Sequence, residues 1–302
     1  MNAIEVHNLS KKYGDLKAVD DFSLTVGQGE LLALVGPDGA GKTTIFRSLC
    51  NLIDFETGDI TIGGRMHKTE FDRIKDILGY MPQQFSLYPD LSVEENLVFY
   101  AGLFGFNRKR FDQKKDALYK FSGLGPFAKR RASALSGGMK QKLALSCNLI
   151  HDPKILLLDE PTTGVDPLSR RQFWDILKKL QAEGASIMVS TPYMDEVALA
   201  DRAIFIYQGR KLTEGTPQEL VAHFDGNVYR ADFFPSAKSM AQLEQIEGLS
   251  SRRFGSTIHL YTSADTPINS FHDRLHNVGI EPDMLEEIDP DLEDVFIQQI
   301  GK

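Results

Sequence analysis

Short apolar runs broken by glycine-rich turns fill the first half of the chain. Residues 3–6 and 22–26 read as strands, with turns at Gly14-Asp15 and at Gly27-Gln28-Gly29. The apolar run 30–35 ends at a glycine, and residues 44–50 follow with helical spacing. Residues 59–62 and 77–81 are also strand-like. Helical character covers 92–123, opened by Ser92-Val93-Glu94-Glu95, which fits a capping box. A further helix over 139–149 is opened by Ser136-Gly137-Gly138. Ile155-Leu156-Leu157-Leu158 is apolar at every position, as in a strand covered on both faces of a parallel sheet. A helix at about 168–183, a second buried strand at 186–190 and a hairpin-like pair near 203–214 follow. Alternation of this kind predicts an α/β domain.

Beyond about residue 225 the rhythm changes. Residues 228–234 suit a strand and 236–246 a helix. Residues 251–254 and 257–261 form a hairpin about Gly255. Residues 268–277 are helical, 280–286 extended and 291–300 helical. The order β-α-β-β-α-β plus a terminal helix resembles a ferredoxin-like module. A length of 302 residues suits such a pair. The expected division is a first domain over 1–225, with a helical subdomain at about 88–145, and an accessory or regulatory α+β module over 226–302.

Composition narrows the class only a little. Hydrophobic residues make up 42% and charged residues 25%, ordinary values for a globular chain. The net charge of −8 argues against a nucleic-acid partner. Cys50 and Cys147 show no metal-ligand spacing, which points to a reduced cytosolic compartment. There is no N-terminal basic-plus-apolar signal, and no apolar run approaches the roughly 18 residues that span a bilayer. Work at a membrane would therefore go through docking to another subunit.

The chemistry concentrates in Gly36-Pro37-Asp38-Gly39-Ala40-Gly41-Lys42-Thr43, followed by Thr44. The stretch matches G-x-x-x-x-G-K-[ST] and lies between a strand and a helix, the context that motif requires. Small residues let the backbone curl so that several N–H groups face phosphate oxygens. Lys42 suits the β- and γ-phosphates, the Thr43 hydroxyl suits Mg²⁺, and the following helix aims its positive end at the same anion.

Other segments fall in order behind this loop. Leu135-Ser136-Gly137-Gly138-Met139-Lys140-Gln141 precedes the buried strand by about 15 residues, and that strand ends in Asp159-Glu160-Pro161. Carboxylates at the carboxyl end of a strand stand where α/β sheets bind ligands. Tyr13 lies upstream of the loop, and Gln83 lies between the two halves. Together these segments resemble the nucleotide-binding subunit of an ATP-binding-cassette (ABC) transporter, over roughly residues 3–225. Residues 88–97, the Leu135–Lys140 segment and the ending Leu292-Glu293-Asp294-Val295-Phe296 are similar to the daunorubicin-resistance-like group of ABC-2-type exporter ATPases. The stretch 35–41 resembles one cassette of the YbhF-type exporter ATPase, in which two cassettes share a chain.

The resemblance implies an ABC-type P-loop NTPase domain with a helical subdomain, plus the small C-terminal α+β module. It implies ATP and Mg²⁺ as cofactors. Tyr13 would stack on adenine, and Thr43, Gln83 and Asp159 would serve the metal. Glu160 would be the general base. Ser136, Gly137 and Gly138 would clasp a nucleotide on an opposite subunit, and Asp166 would lie at the dimer seam. The implied partners are integral membrane permease subunits and a second nucleotide-binding domain, the same or different, at the inner face of the cell membrane. At helical spacing, the aromatic group Phe99, Tyr100, Phe104 and Phe106 reads first as core, with a docking face for membrane-domain helices as the alternative.

One position departs from the pattern. The family carries a switch histidine after the 186–190 strand, in a Ser-Thr-His-Tyr-Met context. Here the chain reads Ser190-Thr191-Pro192-Tyr193-Met194. Proline has no polar side chain and no backbone N–H. Loss of one preorganised donor costs roughly 10²–10³ in rate, so the expected site binds ATP well and hydrolyses it weakly. A regulatory ATP-binding module, or a soluble cassette acting on ribosomes or DNA, stand as alternatives.

Overall fold

The computed structural model describes residues 2–84 and 86–301. The chain forms two compact units, 1–217 and 218–302. The sequence pattern places this division at 225/226 instead. The later part of the intervening segment is tied to the second unit's terminal helix: the Asp225 N–H donates to Gln298 Oε1 at 3.1 Å, and Gln298 Nε2 donates to the Asp225 carbonyl.

The first unit opens with two 12-residue strands, β1 (Asn2–Tyr13) and β2 (Leu16–Gly27), longer than the short runs their hydrophobicity predicts. They pair antiparallel around the Gly14-Asp15 turn. Then come β3 (Leu31–Val35), α1 (Lys42–Leu49), β4 (Thr57–Ile62), β5 (Arg65–Met66), α2 (His67–Ile74) and β6 (Leu78–Met81). The helical stretch expected at 92–123 is two helices, α3 (Val93–Leu103) and α4 (Arg108–Ser122), separated at Gly105. The capping box opening α3 forms as the sequence implies, with Ser92 and Glu95 each accepting the other's backbone N–H.

Next follow α5 (Gly137–Asn148), β7 (Ile155–Asp159), α6 (Pro167–Ala182), β8 (Ser186–Thr191), α7 (Met194–Val197), β9 (Arg202–Tyr207) and β10 (Arg210–Gly215). One sheet runs β2-β1-β4-β5. The other runs β10-β9-β3-β8-β7-β6, parallel except for β10. β3, β7 and β8 are buried at every position, which explains their unbroken apolar runs. α1 buries Ile45, Phe46 and Leu49 in the core with Leu32, Leu34, Leu157 and Phe22. Burying such side chains contributes about 1.5–3 kcal/mol each. The parallel order leaves the carboxyl ends of β3, β8 and β7 side by side, so that three loops open onto one edge.

The aromatic group does not form core. Phe99 is 39% and Phe104 37% exposed, with Leu103 at 65%. The buried face of α3 is instead Val93, Asn96, Leu97 and Ala101. The aromatics cluster outside it, Phe99 4.6 Å from the Tyr88 ring and Phe104 stacked on His151 at 3.8 Å.

After α8 (Pro217–Ala222), the second unit runs β11 (Asn227–Ala231), α9 (Ala237–Leu243), β12 (Ser250–Phe254), β13 (Thr257–Thr262), α10 (His272–Val278), β14 (Leu285–Ile288) and α11 (Leu292–Ile300). Its sheet order is β12-β13-β11-β14, antiparallel throughout. This is the split β-α-β arrangement of the expected ferredoxin-like module. Its core gathers Tyr229, Leu243, Ile258, Leu260, Phe271 and Leu275. The extended segment expected at 280–286 is interrupted by a 3₁₀ turn at Pro282–Met284, and β14 starts only at Leu285. Proline fixes φ near the helical value and suits the first position of such a turn.

Candidate nucleotide site

The loop between β3 and α1 takes the form its composition requires. Gly41, which caps α1, has φ +107°, and a Cβ there would meet the Ala18 carbonyl oxygen at 2.4 Å. Only glycine fits both demands. Lys42 folds back over the loop, its Nζ donating to the carbonyls of Gly36 (2.8 Å) and Pro37 (3.0 Å). Lys42 and Glu160 are both almost fully buried, and Nζ pairs with Glu160 Oε1 at 3.0 Å. Removing such charges from water is costly unless they pair, and these two do.

β7 delivers the acidic pair. Asp159 is wholly buried, and burial pushes its carboxyl up, while hydrogen bonds from Ser190 and Thr43 pull it back down. Ser190 Oγ donates to Asp159 Oδ1 at 2.7 Å, and Asp159 Oδ2 is left without a well-formed hydrogen bond among the described residues. A buried carboxylate oxygen with an open valence, beside a threonine hydroxyl, suits a hard cation or its bound water. Glu160 follows in the left-handed region, φ +48°. Gln83 Nε2 donates to its Oε2 at 2.8 Å, and Thr163 Oγ1 donates to the same oxygen at 3.2 Å. A carboxylate oriented this way and facing an open cleft has the placement of a general base.

Most of the loop, with Lys42, Gln83 and Glu160, lines a cleft of about 850 Å³, whereas Gly36, Pro37 and Asp159 are not part of its lining. Asp38, Gly39, Ala40, Gly41, Lys42, Thr43 and Thr44 form one wall, with Tyr13, Gln83 and Glu160 across it. Tyr13 is 48% exposed at the end of β1, leaving a ring face available. Five other expected residues lie elsewhere, among them Pro192. Ser136 caps α5, accepting the Met139 N–H, and Gly137 and Gly138 open that helix; none of the three lines the cleft. A Cβ on Gly138 would stand 2.7 Å from the Ser169 Cβ, so close contact with α6 excludes a side chain there. Asp166 caps α6 by accepting the Ser169 N–H. Pro192 follows the end of β8, outside the cleft lining. The neighbouring Tyr193 ring lies 4.4 Å beneath the Arg170 guanidinium.

Sequence reasoning missed part of the lining. Asp15 enters from the β1–β2 turn, Leu16, Lys17 and Ala18 from the start of β2, and Gln208 from the β9–β10 turn. The Gly209 N–H donates to the Ala40 carbonyl and so ties that second turn to the loop. The signals present were Gly14-Asp15 beside Tyr13 and the Gln208-Gly209 turn, each weak alone.

A glycine loop feeding a helix, a buried lysine and a strand-end acidic pair on a parallel sheet define a P-loop nucleoside-triphosphate site. The comparisons agree. A family model described as ABC transporter matches residues 19–163. The probable multidrug ABC transporter ATP-binding protein YbhF of Escherichia coli (strain K12) is 41% identical over 219 residues, 72% of this chain; the chain spans 38% of that protein's length. The Nod factor export ATP-binding protein I of Rhizobium etli is 34% identical over 311 residues, covering 100% of this chain and 94% of the relative. Among solved structures, cbiO1 of Clostridium perfringens, part of the ABC transporter complex cbiONQ, superposes with a TM-score of 0.68 at 25% identity, over 74% of this chain and 91% of that one. The cassette MJ0796, solved as a dimer with ADP and Pi, gives 0.65 at 26% identity, over 70% and 98%. This chain belongs to the ABC transporter family, as one of its ATP-binding cassettes.

Proposed function

We propose that the chain is the Mg²⁺-dependent ATPase subunit of an ABC-2-type exporter. It acts at the inner face of the cell membrane with integral membrane permease subunits and a second cassette. The observation that carries this reading is the convergence of the loop, Lys42, Gln83 and Glu160 on one cleft, with Asp159 next to Glu160 at the end of β7. In that reading Lys42 and the loop amides hold the triphosphate, and Tyr13 covers the adenine. Thr43, Gln83 and Asp159 hold Mg²⁺, which when bound neutralises phosphate charge. Glu160, kept in place by Gln83 and Thr163, takes a proton from the attacking water.

Ser136, Gly137 and Gly138 serve the nucleotide of an opposite cassette. Their position outside this chain's own cleft supports that role. No helix among the described residues is long and apolar enough to cross a membrane, and in this reading integral membrane permease subunits provide the path. The exposed cluster of Tyr88, Phe99, Leu103 and Phe104 is a suitable face for them.

Pro192 makes the machine asymmetric. This cleft binds ATP firmly and turns it over slowly, and the partner cassette supplies faster hydrolysis. The test is steady-state turnover of the purified chain and of Pro192→His. The variant is expected to gain roughly 10²-fold. Fast wild-type turnover that Glu160→Gln abolishes would refute the asymmetric reading, and absence of Mg·ATP uptake would refute the ATPase reading.

A further inference from the structure

We propose that Ser190 is a positioning residue for this site: one hydroxyl selects the Asp159 oxygen that faces the metal and fixes the turn that aims Glu160. The inference rests on the ATPase reading and extends it to a strand otherwise notable for the missing histidine.

The placement follows from sheet order. β8 lies between β3, which leads into the phosphate loop, and β7, which ends in the acidic pair. Its register sets Ser190 opposite Leu34 on one side and Asp159 on the other. Ser190 is wholly buried. Its hydroxyl hydrogen goes to Asp159 Oδ1 at 2.7 Å, and a lone pair accepts the Glu160 N–H at 2.9 Å. A hydroxyl has one hydrogen to give, so the donation is committed to Oδ1.

Two consequences follow. Oδ1 takes the Ser190 donation, and Oδ2 is the oxygen without a well-formed hydrogen bond among the described residues. β7 ends at Asp159 and Glu160 turns into φ +48°, so the Glu160 N–H finds its acceptor in a side chain. Holding that unusual conformation sends the Glu160 carboxylate to Lys42, Gln83 and Thr163. β8 therefore still serves the chemistry through Ser190, two residues before Pro192.

The experiment uses the full chain and two readouts. Calorimetry measures ATP affinity in EDTA and in excess Mg²⁺; steady-state kinetics gives kcat and KM. For Ser190→Ala, affinity in EDTA is expected within about threefold of wild type. The gain conferred by Mg²⁺ is expected to shrink about tenfold or more, and kcat to fall about 10–100-fold with a smaller change in KM, since hydrogen bonds to charged groups carry effects of that size. Ser190→Thr keeps the hydroxyl and is expected to restore both, whereas Ser190→Val, of similar shape, is not. If alanine at 190 destabilises the chain, the Thr/Val pair decides alone. Equal Mg²⁺ gain and equal kcat in those two variants would overturn the proposal. Wild-type chain that takes up no Mg·ATP would overturn both this proposal and the reading beneath it.

Discussion

Both units bury charge, and they do so to opposite ends. In the second unit Asp294 is wholly buried near the start of α11. Its Oδ1 receives the Tyr261 hydroxyl and the His259 Nδ1, each at 2.8 Å, and its Oδ2 receives the Asp291 N–H at 2.9 Å. Both oxygens of that carboxylate are met from within, and the Phe254 ring closes over His259 at 4.0 Å. In the first unit Asp159 is buried as deeply, yet its Oδ2 has no well-formed hydrogen bond among the described residues, and the Lys42–Glu160 pair borders an open cleft. A satisfied buried carboxylate fastens a helix to a sheet. One with an oxygen lacking a protein donor is suited to a ligand or water that completes it. Burial alone does not mark a functional residue; here the difference lies in what surrounds the buried oxygens and in the cleft beside Glu160.

The contrast can be attacked at its strongest point first. Glu160→Gln keeps size and hydrogen-bonding reach while removing the basic oxygen. Turnover is expected to drop about 10²–10⁴-fold, read by phosphate release, with the fold unchanged by circular dichroism. A drop below tenfold would deny Glu160 its role.

Next in size, Asp294→Ala removes the centre of the closed cluster and leaves buried donors without acceptors. The second unit is expected to lose about 3–5 kcal/mol, read by urea unfolding of the full chain, while ATP affinity stays at the wild-type value. Weakened ATP binding with intact stability would erase the distinction between the two carboxylates. The smallest effect belongs to the exposed rim. Tyr13→Ala is expected to weaken ATP about fivefold, near the lower bound of base–aromatic stacking at about 1 kcal/mol, and to leave inorganic triphosphate binding unchanged. Equal loss for both ligands would place Tyr13 on the phosphates instead.

What was legible in the sequence tracks distance along the chain. The loop 36–43, the Asp159-Glu160 pair and the caps of α3 and α5 are local patterns, and each takes its expected form. The β-α-β-β-α-β order of the second unit was readable because its glycine turns and alternating runs are short-range as well. The contributions of Ser190, Ala18 and Gln208 were not readable. They enter through strand register and two hairpin turns, and nothing local distinguishes Ser190 from any buried strand serine. The aromatic group misled for the opposite reason. Helical spacing reports which residues share a face, and α3 turns a different face, Val93–Leu97–Ala101, toward the core. The compact units divide at 217/218 rather than 225/226, with most of the short helix Pro217–Ala222, to which the sequence pattern assigns no element, in the second unit.

The lysine of the phosphate loop already holds an anionic partner, the Glu160 carboxylate, at 3.0 Å. Arrival of a triphosphate is therefore an anion exchange at Lys42 rather than the neutralisation of a bare cation. Stray sulfate or inorganic phosphate must displace the same carboxylate and has fewer oxygens to offer the loop. Ionic strength acts mainly on exposed, unpaired charge, so affinity for ATP should be nearly flat across buffers in which an open basic pocket would lose its ligand.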